Sequence, residues 1–287
     1  MRISTDLGSA SRFGGYEKGV ELIGRAGFDA WDLSMFNLAR YDWKNGCIKD
    51  SDDVLRGPQY LKKARELKQI GEAFGMVCNQ SHAPYPCHVA GMRDWLRRAL
   101  ELSAEVGAEI CVIHPDGNTR EEMIEMYLDL LPFAKACGVR MAAENIAYRD
   151  KSTGLYAPHY CSDPARFISV IDEIGDPYLV ALLDVAHAEV QGLDTSATEM
   201  IYALGADRLK GLHIHDNDKK NDQHKLPFTA SIAFEPIVRA LKEIGYGGYF
   251  TMEADAFVYG APLDEGEATL KELARVARVL ADMFEKA

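Results

Sequence analysis

The chain has 287 residues, 47% of them hydrophobic and 26% charged, with a formal net charge of −12. That length is enough for one large core, and the acidic balance argues against a general nucleic-acid binder, because backbone affinity comes from Lys and Arg. Residues 1–15 lack an apolar leader-like stretch and no run approaches the roughly 18 apolar residues of a membrane span, so a cytoplasmic protein without a membrane partner is expected.

In chain order, eight strand-like runs alternate with eight helical ones. Strands are expected at 1–8, 29–36, 76–83, 109–115, 139–146, 178–186, 209–216 and 248–254. Several are nearly continuous apolar runs, as strands are when both faces of a parallel sheet are covered. Helical patterns fall at 16–26, 60–74, 92–106, 121–137, 164–174, 197–204, 234–244 and 263–286. The last carries an apolar stripe of Leu270, Leu273, Val276, Val279, Leu280 and Met283. Gly27, Gly107, Gly138 and Gly245 follow helical patterns and supply left-handed stops that return the chain to the next strand. Eight such units without a linker imply an α/β chain folded as a single (β/α)8 TIM barrel over residues 1–287. Three insertions, 37–56, 148–162 and 216–230, each follow a strand.

Six polar residues stand at the C-terminal ends of successive strand runs: His82, His114, Glu144, Asp184, His213 and Glu253. Parallel strands all point the same way, so these side chains converge at one mouth of the barrel. Glu144, Asp184, His213 and Glu253 offer three carboxylates and one imidazole, a set suited to a hard or borderline divalent ion. His187, three residues after Asp184, reaches the same mouth as a substrate contact or a ligand of a second metal. His82 and His114 serve either directly or as partners of a ligand. His215 shares the strand face of His213 and can donate to a neighbouring carboxylate. Asp222 and His224 form an Asp-x-His on the loop after the seventh strand, where a solvated polar loop is the plain alternative. His88 and His159 have no supporting context. The six cysteines (47, 78, 87, 111, 137 and 161) form no C-x-x-C pair and read as free thiols, with Cys87 near the mouth.

The segments HAPYP, HPDG, AAEN, LDVAHA, LHIHDND, DQHKLP and GYGGYFTMEAD together resemble the xylose isomerase-like TIM-barrel superfamily, over almost the whole chain. That superfamily joins sugar phosphate isomerases and epimerases with endonuclease IV-type nucleases. The resemblance to its ketose 3-epimerase-like members implies one divalent ion, Mn²⁺ with Mg²⁺, Co²⁺ or Zn²⁺ as alternatives, held by Glu144, Asp184, His213 and Glu253. It implies that Glu144 and Glu253 also act as acid and base on a sugar or sugar-phosphate substrate, and that His187 contacts that substrate. His82, His114 and His224 join His187 as candidate substrate contacts. Lys219 stands where those epimerases carry Arg, six residues after the metal histidine; folded inward, it would bind a hydroxyl or phosphate. A homo-oligomer is left open.

The alternative implied by the resemblance is a zinc phosphodiesterase acting on abasic DNA. Residue types match all nine of its ligand positions: His82, His114, Glu144, Asp184, His187, His213, Asp222, His224 and Glu253. Two stretches depart from the nuclease pattern, LHIHDNDK and KLPFTASIAF, and the second is closer to sugar isomerase relatives. A sugar-binding module is the weakest reading, because binding alone does not require two glutamates flanking a polyol.

Overall fold

The computed structural model describes residues 1–116, 119–150 and 152–287; Gly117 of the HPDG segment and Lys151 of the 148–162 insertion lie outside the described residues. Eight parallel strands carry the architecture: β1 (Arg2–Thr5), β2 (Ala30–Ser34), β3 (Val77–His82), β4 (Ile110–Val112), β5 (Arg140–Glu144), β6 (Leu179–Asp184), β7 (Leu209–His213) and β8 (Tyr249–Met252). Strands β2 to β7 form one sheet in chain order, and β1 pairs with β8. Parallel bridges from Asp6 to Asp32 and from Ile214 to Met252 join the two pieces and close the ring. The register sets Asp184 beside His213 and Leu182 beside Glu144, so the ends of β5, β6 and β7 meet at one rim.

Eight helices pack outside the strands: α1 (Tyr16–Ala26), α2 (Tyr60–Ala73), α3 (Met92–Val106), α4 (Arg120–Cys137), α5 (Pro164–Ile174), α6 (Ala197–Arg208), α7 (Phe234–Glu243) and α8 (Gly266–Lys286). Their buried faces and the outer faces of the strands make the main core, while Ile110, Val112, Ala142, Val180 and Leu182 fill part of the barrel interior. Gly211 on β7 sits in close packing: a Cβ there would lie 2.7 Å from Ile110 Cδ1 and 2.9 Å from Leu182 Cδ1, so a larger residue would require those side-chain ends to move. Its small size lets β7 carry His213 close to its neighbours.

Helix α6 keeps helical geometry to the expected end at 204; Gly205, at φ 62°, ψ 173°, breaks it before a last turn to Arg208. Three expectations are corrected in detail. Helix α8 begins at Gly266, because Leu263–Glu265 form a separate 3-10 turn. Strand β4 stops at Val112 rather than 115, so His114 sits just past the strand end; Pro115 has no N–H for a ladder. Val279 is 38% exposed while Leu270, Leu273, Val276 and Leu280 are buried. One residue is a 100° step on a helix, which turns Val279 away from the face that Leu280 occupies.

The insertions have their own order. Tyr41–Asp42 pairs with Cys47–Ile48, and Tyr148–Arg149 with Tyr156–Ala157, as two small antiparallel hairpins at the mouth side. After β7, the buried Asp216 carboxylate accepts the backbone N–H groups of Asn217, Thr229, Ala230, Ser231 and Ile232 at 2.8–3.1 Å. Five amides on one side chain fold the 216–230 loop back over the barrel. Among the described residues no helix is long and apolar enough to cross a membrane.

Candidate active site

Glu144, Asp184 and His213 end β5, β6 and β7, and Glu253 follows β8 directly. All four are buried, and one ligand atom from each lies within 4.8 Å of the others. His213 Nδ1 is 3.2 Å from Glu144 Oε1 and 3.5 Å from Glu253 Oε2, while its Nε2 faces Asp32 Oδ2 at 3.4 Å. Gln80 Nε2 donates to the same Asp32 oxygen at 2.9 Å. The ring is thereby oriented with Nδ1 toward the carboxylates. Asp184 is fixed as firmly: Asn145 Oδ1 accepts its backbone N–H at 2.7 Å, and Asn145 Nδ2 donates to its carbonyl at 2.9 Å. The Asp184 carboxylate also caps the short helix Val185–Ala188, accepting the N–H of His187 at 2.8 Å. That turn is what brings His187 to the mouth.

Three buried carboxylates meet here, and among the described residues no Lys or Arg lines the cavity above them. Their charge is met only by imidazoles. Burial pushes the Glu144 carboxyl up, but His213, His114 and His82 outweigh it and hold the group well below its ordinary range. Burial raises Glu253, and the charges of Glu144 and Asp184 add to that, so it stays above its ordinary value despite His213 and His224. Burial also raises Asp184, yet His187 and His215 bring it down to about 2. Desolvation opposes the His213 cation, but Glu253 and Glu144 lift that imidazole well above its usual value. A set of three carboxylate oxygens and one imidazole nitrogen, short of positive charge, fits a divalent cation such as Mn²⁺, Mg²⁺ or Co²⁺.

Two further groups adjoin this floor. His82 and His114 both point Nε2 at Glu144 Oε2, at 3.2 and 3.3 Å, and these two nitrogens are 3.0 Å apart. His82 Nδ1 sits 2.9 Å from the Ala83 carbonyl, an acceptor that places a proton there. On the other side, His187, His215, Asp222 and His224 bring ligand atoms within 4.8 Å of one another. Asp222 Oδ2 lies 3.3 Å from both His187 Nε2 and His224 Nε2. His215 stacks on His224 at 3.9 Å and places Nε2 3.1 Å from Asp184 Oδ2. Asp222 and His224 therefore do not belong to a solvated loop: the ordering by Asp216 folds them inward.

The cavity at the mouth measures about 490 Å³ and includes His82, His114, Glu144, His187, Asp222, His224 and Glu253 among its lining residues. Lys219 is the candidate that the structure does not bring there. Its Nζ pairs with Glu189 Oε2 at 2.9 Å, at a backbone φ of 62°. His88 and His159 gain the context their sequence lacks, His88 through Asp116 at 2.8 Å and His159 through an edge-on contact with Tyr148 at 4.6 Å. Cys87 is buried beside the mouth, its N–H donating to Asp116 Oδ2 at 2.8 Å.

Several residues of this site escape sequence reasoning. Asn145 carries a signal, since it directly follows Glu144 at a strand end. Asp116, one residue beyond the His114-Pro115 pair, has a similar one. Asp32 is flanked by Trp31 and Leu33 and Gln80 lies in a polar run of its strand; their role emerges only from the barrel register, which sets Gln80 beside Asp32 and Asp32 beside His213.

A family model described as xylose isomerase-like TIM barrel matches residues 20–280. An uncharacterized protein of Methanocaldococcus jannaschii is 23% identical over 253 residues, covering 82% of this chain and 77% of its own. Among solved structures, an L-ribulose 3-epimerase superposes with a TM-score of 0.71 at 16% identity, over 99% of this chain and 95% of the other. A D-allulose 3-epimerase from Methylomonas sp. gives a TM-score of 0.70 at 16% identity, over 98% of this chain and 97% of the other. At such identities these two structures speak to the fold.

Proposed function

This chain belongs to the xylose isomerase-like TIM-barrel family, and on that premise we propose that it is a divalent-metal-dependent isomerase or epimerase of a sugar or sugar phosphate. The observation that carries the reading is the meeting of Glu144 and Glu253 with Asp184 and His213 on one buried floor under an open cavity. The likeness in fold to an L-ribulose 3-epimerase and a D-allulose 3-epimerase supports it.

In this reading the four floor residues hold one ion, with Mn²⁺ the first candidate. When bound, it would supply Lewis-acid polarisation of a substrate carbonyl oxygen. The protein's own part is proton transfer. Glu144 and Glu253 share it: one removes a proton beside the carbonyl and the other returns one. Return to the opposite face of the same carbon epimerises; return to the neighbouring carbon isomerises. His187, with its Nδ1 3.0 Å from the Asn145 carbonyl, keeps Nε2 toward the mouth as a partner for a substrate hydroxyl. His82, His114 and His224 are placed for similar contacts, whereas Lys219 is not.

The likeness to sugar epimerases does not favour the abasic-DNA alternative. The test is metal content of protein purified without added metal, together with activity on ketoses and on an abasic duplex. One Mn²⁺, Mg²⁺ or Co²⁺ per chain with turnover of a ketose supports the proposal. Nearly three zinc ions with cleavage of the duplex would overturn it.

A further inference from the structure

Resting on the sugar-isomerase reading, we propose that the substrate is an uncharged saccharide of at least two rings. The reacting sugar lies over Glu144 and Glu253, and the second ring stacks on Tyr85 and Trp43 at the rim.

The mouth is divided by chemistry. Five of its lining residues are carboxylates, and among the described residues none is Lys or Arg. A phosphate brought into such a cavity meets five carboxylates and finds no Lys or Arg to pair with, whereas sugar hydroxyls can donate to carboxylates such as Asp222 and Glu253. The other half is aromatic. The Tyr85 ring stacks on His114 at 4.8 Å and 21°, and His114 touches Glu144 at 3.3 Å, so Tyr85 is the first surface outward from the floor. Phe36 packs against it edge-on at 5.4 Å and fixes its plane. Trp43 follows at the tip of the hairpin formed by Tyr41–Asp42 and Cys47–Ile48.

Trp43 is 70% exposed and Tyr85 48%, yet both are braced. Tyr41 contacts the indole edge-on at 4.9 Å, and His88 approaches it at 6.3 Å from its anchor on Asp116. A large ring held in place but left to water beside a cavity is a surface awaiting a partner, and the apolar C–H face of a sugar ring matches an aromatic plane. The cavity of about 490 Å³ falls in the range that takes ligands larger than a single hexose.

The experiment titrates the metal-loaded protein by calorimetry with D-fructose, with D-fructose 6-phosphate and with isomaltulose, in which the same ketose carries a glucosyl ring at O6. We expect isomaltulose to bind about tenfold tighter than D-fructose, the phosphate to bind more weakly than either, and Trp43→Ala to bring the isomaltulose-to-fructose ratio to about one. Thermal unfolding of the variant checks that it folds. Equal affinity for the two neutral sugars, preference for the phosphate, or a ratio that survives Trp43→Ala would each overturn the inference while leaving the sugar reading standing. Absence of binding by all three sugars would overturn both.

Discussion

His213 is gripped from two sides: its Nδ1 faces Glu144 and Glu253, and its Nε2 faces Asp32, itself held by Gln80. A ligand imidazole whose remote nitrogen meets a carboxylate is fixed in tautomer and direction. Asp32→Asn should therefore weaken metal affinity by about 10–100-fold with little change in the unfolding temperature of the metal-free protein. Calorimetric titration with Mn²⁺ reads the effect, and an unchanged dissociation constant would remove Asp32 from the account. The proton on His213 has a second consequence. Its pKa is raised, so the metal-free imidazole is charged near neutrality and must lose that proton to bind a cation. Metal affinity should rise as the pH is raised through neutrality, with proton release on binding, measurable by calorimetry in buffers of different ionisation enthalpy.

At the scale of elements, the loop after β7 depends on Asp216. Asp216→Ala would strand five amide N–H groups that the buried carboxylate now satisfies. The expected loss is at least about 3 kcal/mol of stability by urea unfolding, with sugar binding impaired as His224 leaves the mouth. The short helix Asp255–Gly260 makes the opposite case. Burial first, then the Glu253 charge, raises Asp255 to about 6, and its Oδ1 is buried without a partner. A carboxyl whose folded pKa lies above the unfolded value of about 3.9 opposes folding fully above the folded pKa and not at all below the unfolded one. Asp255→Asn in the metal-free protein should thus add about 1–3 kcal/mol at pH 8, and the gain should vanish below about pH 4. Equal gains at both pH values would show that charge is not the cause.

These elements also mark what the chain discloses by itself. Repeats of apolar runs and helix patterns disclose the barrel because packing on both sheet faces writes itself into local hydrophobicity. The six strand-end residues are legible for the same reason, since strand direction alone makes them converge. The hairpins around Trp43 and Tyr148 are not, because two-residue strands are too short to show a period. Nor is the inward fold of Asp222 and His224, which rests on Asp216 bonding to amides 13 to 16 residues away.

Over the whole molecule, the barrel interior changes character along its axis. Ile110, Val112, Ala142, Val180 and Leu182 form its apolar part. A polar column runs beside them: Ser4 donates to Asn79 at 2.6 Å, Asn79 to Gln80 at 3.2 Å, and Gln80 to Asp32, which meets His213. The fold thus supports the floor from below, and both glutamates line the cavity at the mouth, from which a substrate can reach them. The most direct test of their role is solvent deuterium incorporation into a ketose, followed by NMR, with the metal-loaded protein and its Glu144→Gln and Glu253→Gln variants in D₂O. The account predicts deuterium at a carbon next to the carbonyl with the parent protein and a fall of at least about 100-fold in each variant, both still folded. Near-normal exchange in either variant would contradict it.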